Sequence, residues 1–170
     1  MGLFDFLTSA KRPASGTPVQ SAQAVREKLL AINRPTAPFQ LIDGTAEGVD
    51  LIAEWKIVDA KWYEIFAKAG LSKTFKIYLK LDEASHEVRA MDRELTVEWR
   101  AGVPSLSFAV SAFKGQQQSI EFGQAYGFTE TLAPGQIYNY RFATKELKQP
   151  IQTAAIESGW TYKGVAFGKL

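Results

Sequence analysis

Hydrophobic and polar residues alternate most regularly over 74–81, where Phe75, Ile77, Leu79 and Leu81 face one way and Thr74, Lys76, Tyr78 and Lys80 the other. An unbroken period of two is the signature of a strand with one buried face. The polar run Asp82-Glu83-Ala84-Ser85-His86 predicts a turn. Residues 87–100 predict a returning strand, its second half sending Leu95, Val97 and Trp99 inward and Thr96 and Glu98 outward. Together these segments read as a hairpin.

The alternation continues beyond a break at Gly102 and Pro104. A strand over 105–113 carries Leu106, Phe108 and Val110, and a turn at Lys114-Gly115-Gln116-Gln117 leads into 118–129. There Ile120, Phe122, Tyr126 and Phe128 share a face, and Pro134-Gly135 turns into 136–143 with Tyr138, Tyr140 and Phe142 on one side. Further strands are expected at 38–42, 49–57 and 160–167.

Helical spacing is found in three places. Over 21–33, Ser21 can cap the free amides, and Val25, Leu29 and Ile32 form a stripe. Over 59–69, Asp59 is the cap, Trp62, Ile65, Phe66 and Ala69 line one side, and Gly70 can take the left-handed position that ends it. A short helix over 150–158 would start at Pro150, since proline suits a first turn, and close at Gly159.

Strands joined by tight turns, rather than strand-helix-strand units, predict an α+β fold. The expectation is a curled antiparallel meander of seven or eight strands, barrel-like or half-open. Two helices lie near the N-terminus and one short helix near the C-terminus. One sheet face must be covered, by curling or by helices. Residues 1–10 read as an apolar tail, 11–20 (KRPASGTPVQ) as a flexible linker and 21–170 as a single domain.

Composition adds limits. With 170 residues, 46% hydrophobic and 12% aromatic, the chain can bury a core without staples. It has no cysteine, which removes disulfides, thiolate metal sites and cysteine nucleophiles. The net charge of +2 is spread as about +3 over 1–42, −4 over 43–98 and +3 over 99–170, with Lys and Arg scattered among acids. No phosphate-tracking stripe is legible, and nucleic acid is not expected as a partner. No apolar run approaches the ~18 residues needed to cross a bilayer. The start, MGLFDFLTSAKRP, lacks the layout of a secretory signal, and Phe6 stands where a myristoylation signal needs Ser or Thr. A cytoplasmic location is the simplest expectation.

Few chemical constellations can be assembled. His86 is the only histidine, so no histidine-based metal site or Ser-His-Asp triad can form; it is expected exposed in its turn. Acids concentrate at Asp82, Glu83, Glu87, Asp92, Glu94 and Glu98. Asp92, Glu94 and Glu98 share the outward parity of one strand, which predicts a solvated face paired to Lys76 and Lys80 rather than a cleft. Phosphate-loop, dinucleotide and nucleophile-elbow motifs are missing. Gly123 and Gly127 lie on one face of an aromatic strand, where they suit a bend or a packed helix. Trp55, Trp62, Trp99, Trp160, Tyr138, Tyr140 and Tyr162 fall where core residues belong. No catalytic residue, cofactor or metal is expected, and any pocket between sheet and helices would draw on Glu121, Asn139 and Arg141.

The tail has a mechanism. Leu3, Phe4, Phe6 and Leu7 crowd five positions ahead of Lys11 and Arg12, a segment able to lie in a membrane interface or plug a groove of a protein.

The stretch GVDLIAEWKIVDAKWYEIFAKAGLSKTFKIYLKLD, with EVRAMDRELTVEWR behind it and MGLFDFL ahead, resembles uncharacterised bacterial proteins. By element order alone the chain is also similar to tubby-like and PH-like barrels, whose lipid-binding habit is an analogy. The functional expectation is a non-enzymatic binding or adaptor domain, recruited by its tail to a membrane surface or a partner protein. The alternative is a small-molecule or lipid carrier, or an enzyme, with a pocket between curved sheet and helices.

Overall fold

The computed structural model describes residues 10–68, 70–108, 114–115, 128–131, 137–140, 144–165 and 170. Helix α1 (Ala22–Leu30) starts where expected, the Ser21 hydroxyl oxygen accepting from the Ala24 amide at 3.2 Å. It ends sooner than 33. The Ile32 and Asn33 amides bond three residues back, to the Leu29 and Leu30 carbonyls, so the last turn tightens. The Asn33 side chain then donates to the Leu41 carbonyl at 2.8 Å and accepts from its amide at 2.7 Å, hooking the helix end to the first strand.

Strands β1 (Phe39–Asp43), β2 (Leu51–Trp55), β3 (Lys73–Asp82), β4 (Glu87–Arg100) and β5 (Val103–Phe108) follow one another as an antiparallel meander. The hairpin β3–β4 pairs without a slip from Lys73↔Thr96 to Asp82↔Glu87. The far edge of β4 is shared by three segments. β9 (Thr161–Gly164) pairs in parallel with 87–90, β6 (Lys114–Gly115) with 92–93, and β5 with 95–100. Lys114 and Gly115 therefore sit in a ladder, not in the expected turn. β7 (Phe128–Thr131) and β8 (Ile137–Tyr140) form a separate two-stranded ladder. The main sheet is mostly antiparallel and open among the described residues.

Helix α2 (Tyr63–Lys68) is shorter than 59–69, because Asp59 organises a turn first: its carboxylate accepts from the Lys61 amide and its carbonyl from the Trp62 amide. Helix α3 (Thr144–Glu157) departs further from expectation, running 14 residues with Pro150 inside it. An interior proline forgoes one backbone bond, a cost of ~3 kcal/mol or more. Leu147, Ile151, Ala154 and Ala155, buried at helical spacing, offset that cost.

α1 and α3 cover one sheet face. Val25 and Leu29 from α1 and the α3 stripe share one core with Phe39, Leu41, Leu51, Ala53, Phe75, Ile77, Leu79, Val88, Ala90 and Tyr162. Trp55 lies edge-on between Phe39 and Phe75, with ring centroids 5.8 and 6.4 Å away. Residues 11–20 run against the end of this core. Lys11 exchanges both backbone bonds with Tyr162, the Gln20 amide reaches the Ser158 carbonyl, and the Trp160 indole donates to the Gln20 carbonyl.

Candidate functional site

The unbroken β3–β4 register decides which side chains share a face. Phe75, Ile77 and Leu79 face the helices, so their partners Glu94, Asp92 and Ala90 do too. The other face takes Lys76 with Arg93, Tyr78 with Met91, and Lys80 with Arg89. On the far side of β4, Arg89 is in register with Lys163. Lys80, Arg89 and Lys163 thus form one row of cations across three adjacent strands, about 4.8 Å apart. Lys80 is exposed, Arg89 half-buried, and the Lys163 side chain is 42% exposed.

Like charges set directly opposite one another in a sheet are destabilising. The row is only partly neutralised. Glu87, in the next row, reaches Lys163 at 3.7 Å, and Asp82 lies opposite Glu87 beside the turn. Among the described residues no carboxylate pairs with Lys80 or Arg89 at salt-bridge distance. The Nε atoms of Arg89 and Arg93 are shielded from solvent and have no hydrogen-bond partner there. Arg93 spreads its guanidinium over the Phe108 ring, 3.4 Å from the centroid, while Lys76 turns to Glu54 at 3.3 Å.

This overturns the expected outward face of Asp92 and Glu94 with partners Lys76 and Lys80. Asp92 is fully buried, and Lys148 of α3, itself 7% exposed, meets it at 2.5 Å. Glu94 faces Lys73 at 3.5 Å, and Glu98 is exposed beside Arg100 at 3.8 Å. The buried parity of β4 changes along its length, Val88, Ala90 and Asp92 in the first half and Leu95 and Val97 in the second. There the half-buried Trp99 donates its indole N–H to the Leu71 carbonyl at 2.7 Å. Extending the second-half parity backwards put the acids on the wrong face. The hairpin finds the first two members of the row, Lys80 and Arg89, since β3's alternation fixes the partners once the turn length is known. Lys163 joins only through the β9 pairing.

Tyr162 lies beside the buried ion pair. Burial, and after it the negative charge of Asp92, push its hydroxyl well above the usual phenol range, and that hydroxyl has no hydrogen-bond partner. At the turn end of β3, Asp82 holds the turn: hydrogen bonds from Ser85, and then the Ala84 amide, keep its carboxyl below the usual range. His86 is exposed, adopts φ 53°, and rests its ring 5.7 Å from Trp160.

The remaining expectations divide. Trp55, Trp62, Trp160 and Tyr162 are core residues. Gly123, Gly127, Glu121, Arg141, the Asn139, Tyr138 and Tyr140 side chains, and the tail residues Leu3, Phe4, Phe6 and Leu7 lie outside what is described. Among the described residues no three acid or histidine side chains are placed to hold a metal ion, and no helix is long and apolar enough to cross a membrane. A shallow groove of about 410 Å³ runs between α1 and α3, floored by Ile32, Pro150 and Ala154 and rimmed by Lys28 and Glu157, 3.1 Å apart. It lies outside the helix layer, whereas the space between that layer and the sheet is occupied by buried side chains. No family model matches the chain, and no curated protein or solved structure matches it.

Proposed function

We propose that the protein is a non-enzymatic binding or adaptor domain, brought to a membrane surface by its apolar N-terminal tail. The observation that carries this reading is the point from which the tail leaves the fold. Ala10 is buried and Lys11 is bonded on both sides to Tyr162, so the segment ahead of them starts from a fixed position beside β9 and its cation Lys163. Leu3, Phe4, Phe6 and Leu7 would each contribute ~1.5–3 kcal/mol on full burial in an interface. A single short apolar segment anchors weakly and reversibly, which suits recruitment rather than permanent insertion.

The test is co-sedimentation of the full chain with liposomes, alongside its solution size, for the natural protein and a Phe4→Ser, Phe6→Ser variant. Weaker liposome association in the variant supports membrane recruitment, and an unchanged liposome fraction with a smaller particle points to a protein partner. If neither changes, the tail has no recruiting role. A second reading, carriage of a small molecule, finds its support in the groove between α1 and α3, with its apolar floor and charged rim.

A further inference from the structure

We infer that the cation row Lys80–Arg89–Lys163 is a docking surface for anionic phospholipid headgroups, working together with the tail. The inference rests on the membrane reading above and names the lipid chemistry that the reading leaves open.

Three observations converge on it. The first is register. β3, β4 and β9 place three cations side by side on the sheet face away from the helices, where a neutral or alternating row would be more stable. The second is missing compensation. Among the described residues only Lys163 has a carboxylate at salt-bridge distance, while the Asp82 charge acts on Arg89 from farther off. A phosphate supplies negative charge to the row, and guanidinium groups suit it particularly well. The third is position. The next chain segment beyond β9 is Lys11, bonded to Tyr162, so the apolar tail departs from the sheet edge that bears Lys163.

The arrangement fits the two-signal logic of peripheral membrane binding. One short apolar segment gives marginal affinity, and a basic patch beside it adds the rest when the surface is negative. The acids nearest the row, Asp82 and Glu87, lie at the turn end, so the lipid-facing cations are bounded on that side. Each basic residue near an anionic leaflet is worth about fivefold in affinity, so the three together are worth on the order of a hundredfold.

The experiment uses the full chain and two kinds of vesicle, phosphatidylcholine alone and phosphatidylcholine mixed with phosphatidylserine. The proteins are the natural chain, the triple variant Lys80→Gln, Arg89→Gln, Lys163→Gln, and the tail variant Phe4→Ser, Phe6→Ser. The natural chain should prefer the serine-containing vesicles, and its binding should fall steeply as salt rises. The triple variant should lose that preference by on the order of a hundredfold while keeping the residual binding that the tail gives to neutral vesicles.

Equal binding of natural and triple-variant protein to anionic vesicles overturns the inference and leaves the tail reading standing. A tail variant that binds like the natural chain overturns the tail reading alone. Loss of single-stranded DNA binding in the triple variant, with vesicle binding intact, also overturns the inference, since the row would then serve nucleic acid. Should the triple variant fold poorly, the salt series on the natural chain decides: binding to anionic vesicles that is indifferent to salt refutes the headgroup role.

Discussion

The two faces of the β3–β4 hairpin treat charge by opposite rules. On the face under α1 and α3, the fully buried acid, Asp92, is matched by Lys148 reaching down from α3 at 2.5 Å. On the other face Lys80, Arg89 and Lys163 stand in one row, with only Lys163 at salt-bridge distance from an acid among the described residues. A buried charge without a partner is intolerable, so the covered face has to be locally neutral. Solvent tolerates an unbalanced row at a cost of tenths of a kcal/mol. The covered face is thus constrained by folding, whereas the cation row is free to be shaped by binding.

The sharpest way to break this contrast is to remove one half of the buried pair. Asp92→Ala takes from the buried Lys148 ammonium the carboxylate it meets, and the expected loss is ~3–5 kcal/mol by chemical denaturation. Replacing both partners, Asp92→Leu with Lys148→Met, should restore most of the loss, because neither charge then needs solvation. If Asp92→Ala costs less than ~1 kcal/mol, the ion pair does not hold α3 to the sheet.

A second test concerns residues 11–20. Gly159 has φ 74°, and a Cβ there would sit 2.5 Å from the Pro18 carbonyl oxygen. Gly159→Ala adds ~1–2 kcal/mol for the left-handed backbone alone, plus the displacement of Pro18. Faster proteolysis within 11–20 is the expected outcome, and unchanged cleavage would mean that this segment does not depend on the close approach.

How much of this was legible beforehand follows from which interactions are local. The strict alternation of 74–81 and the Ser21 cap gave β3 and the start of α1, since both depend on neighbours in sequence. The full length of α3 was hidden by Pro150, which ordinarily marks a first turn. Here Leu147 and Ile151 bury enough surface to carry the helix through it. The parallel pairing of β9 with β4 joins residues over seventy positions apart, and periodicity carries no trace of it. The cation row depends on that pairing and on the hairpin register together. As a linear string, Lys80, Arg89 and Lys163 look like three unrelated surface residues. The apolar composition of residues 1–10 reads directly from the sequence, whereas the place of Ala10 and Lys11 beside β9 does not.

A smaller effect comes from Tyr162, on the covered side. Its hydroxyl is buried without a hydrogen-bond partner, so Tyr162→Phe should stabilise the fold by ~1 kcal/mol instead of weakening it. The sign of the pH dependence is also fixed. The folded state holds the phenol proton more tightly than the unfolded chain, where the group titrates near its ordinary value of about 10. The stability linked to that proton is complete below this value and is lost as pH rises towards the elevated folded value. Thermal melts above pH ~10 should therefore favour the Phe variant progressively over the natural protein. A variant clearly less stable at neutral pH would show that the hydroxyl has a partner after all.

The smallest expected change in stability belongs to the cation row, and its sign is the informative part. Replacing Lys80, Arg89 and Lys163 by Gln relieves repulsion between neighbours and gives up one contact of 3.7 Å with Glu87. The net effect on the fold should be neutral to slightly stabilising, within ~0.5 kcal/mol, and should shrink as salt screens the row. That behaviour is the reverse of the Asp92 variant, which should stay unstable at any ionic strength because the buried Lys148 charge lies beyond the reach of salt. If neutralising the row instead costs several kcal/mol, the three cations are part of the fold's own support. The sheet would then have no face on which charge could be arranged for a ligand without regard to stability.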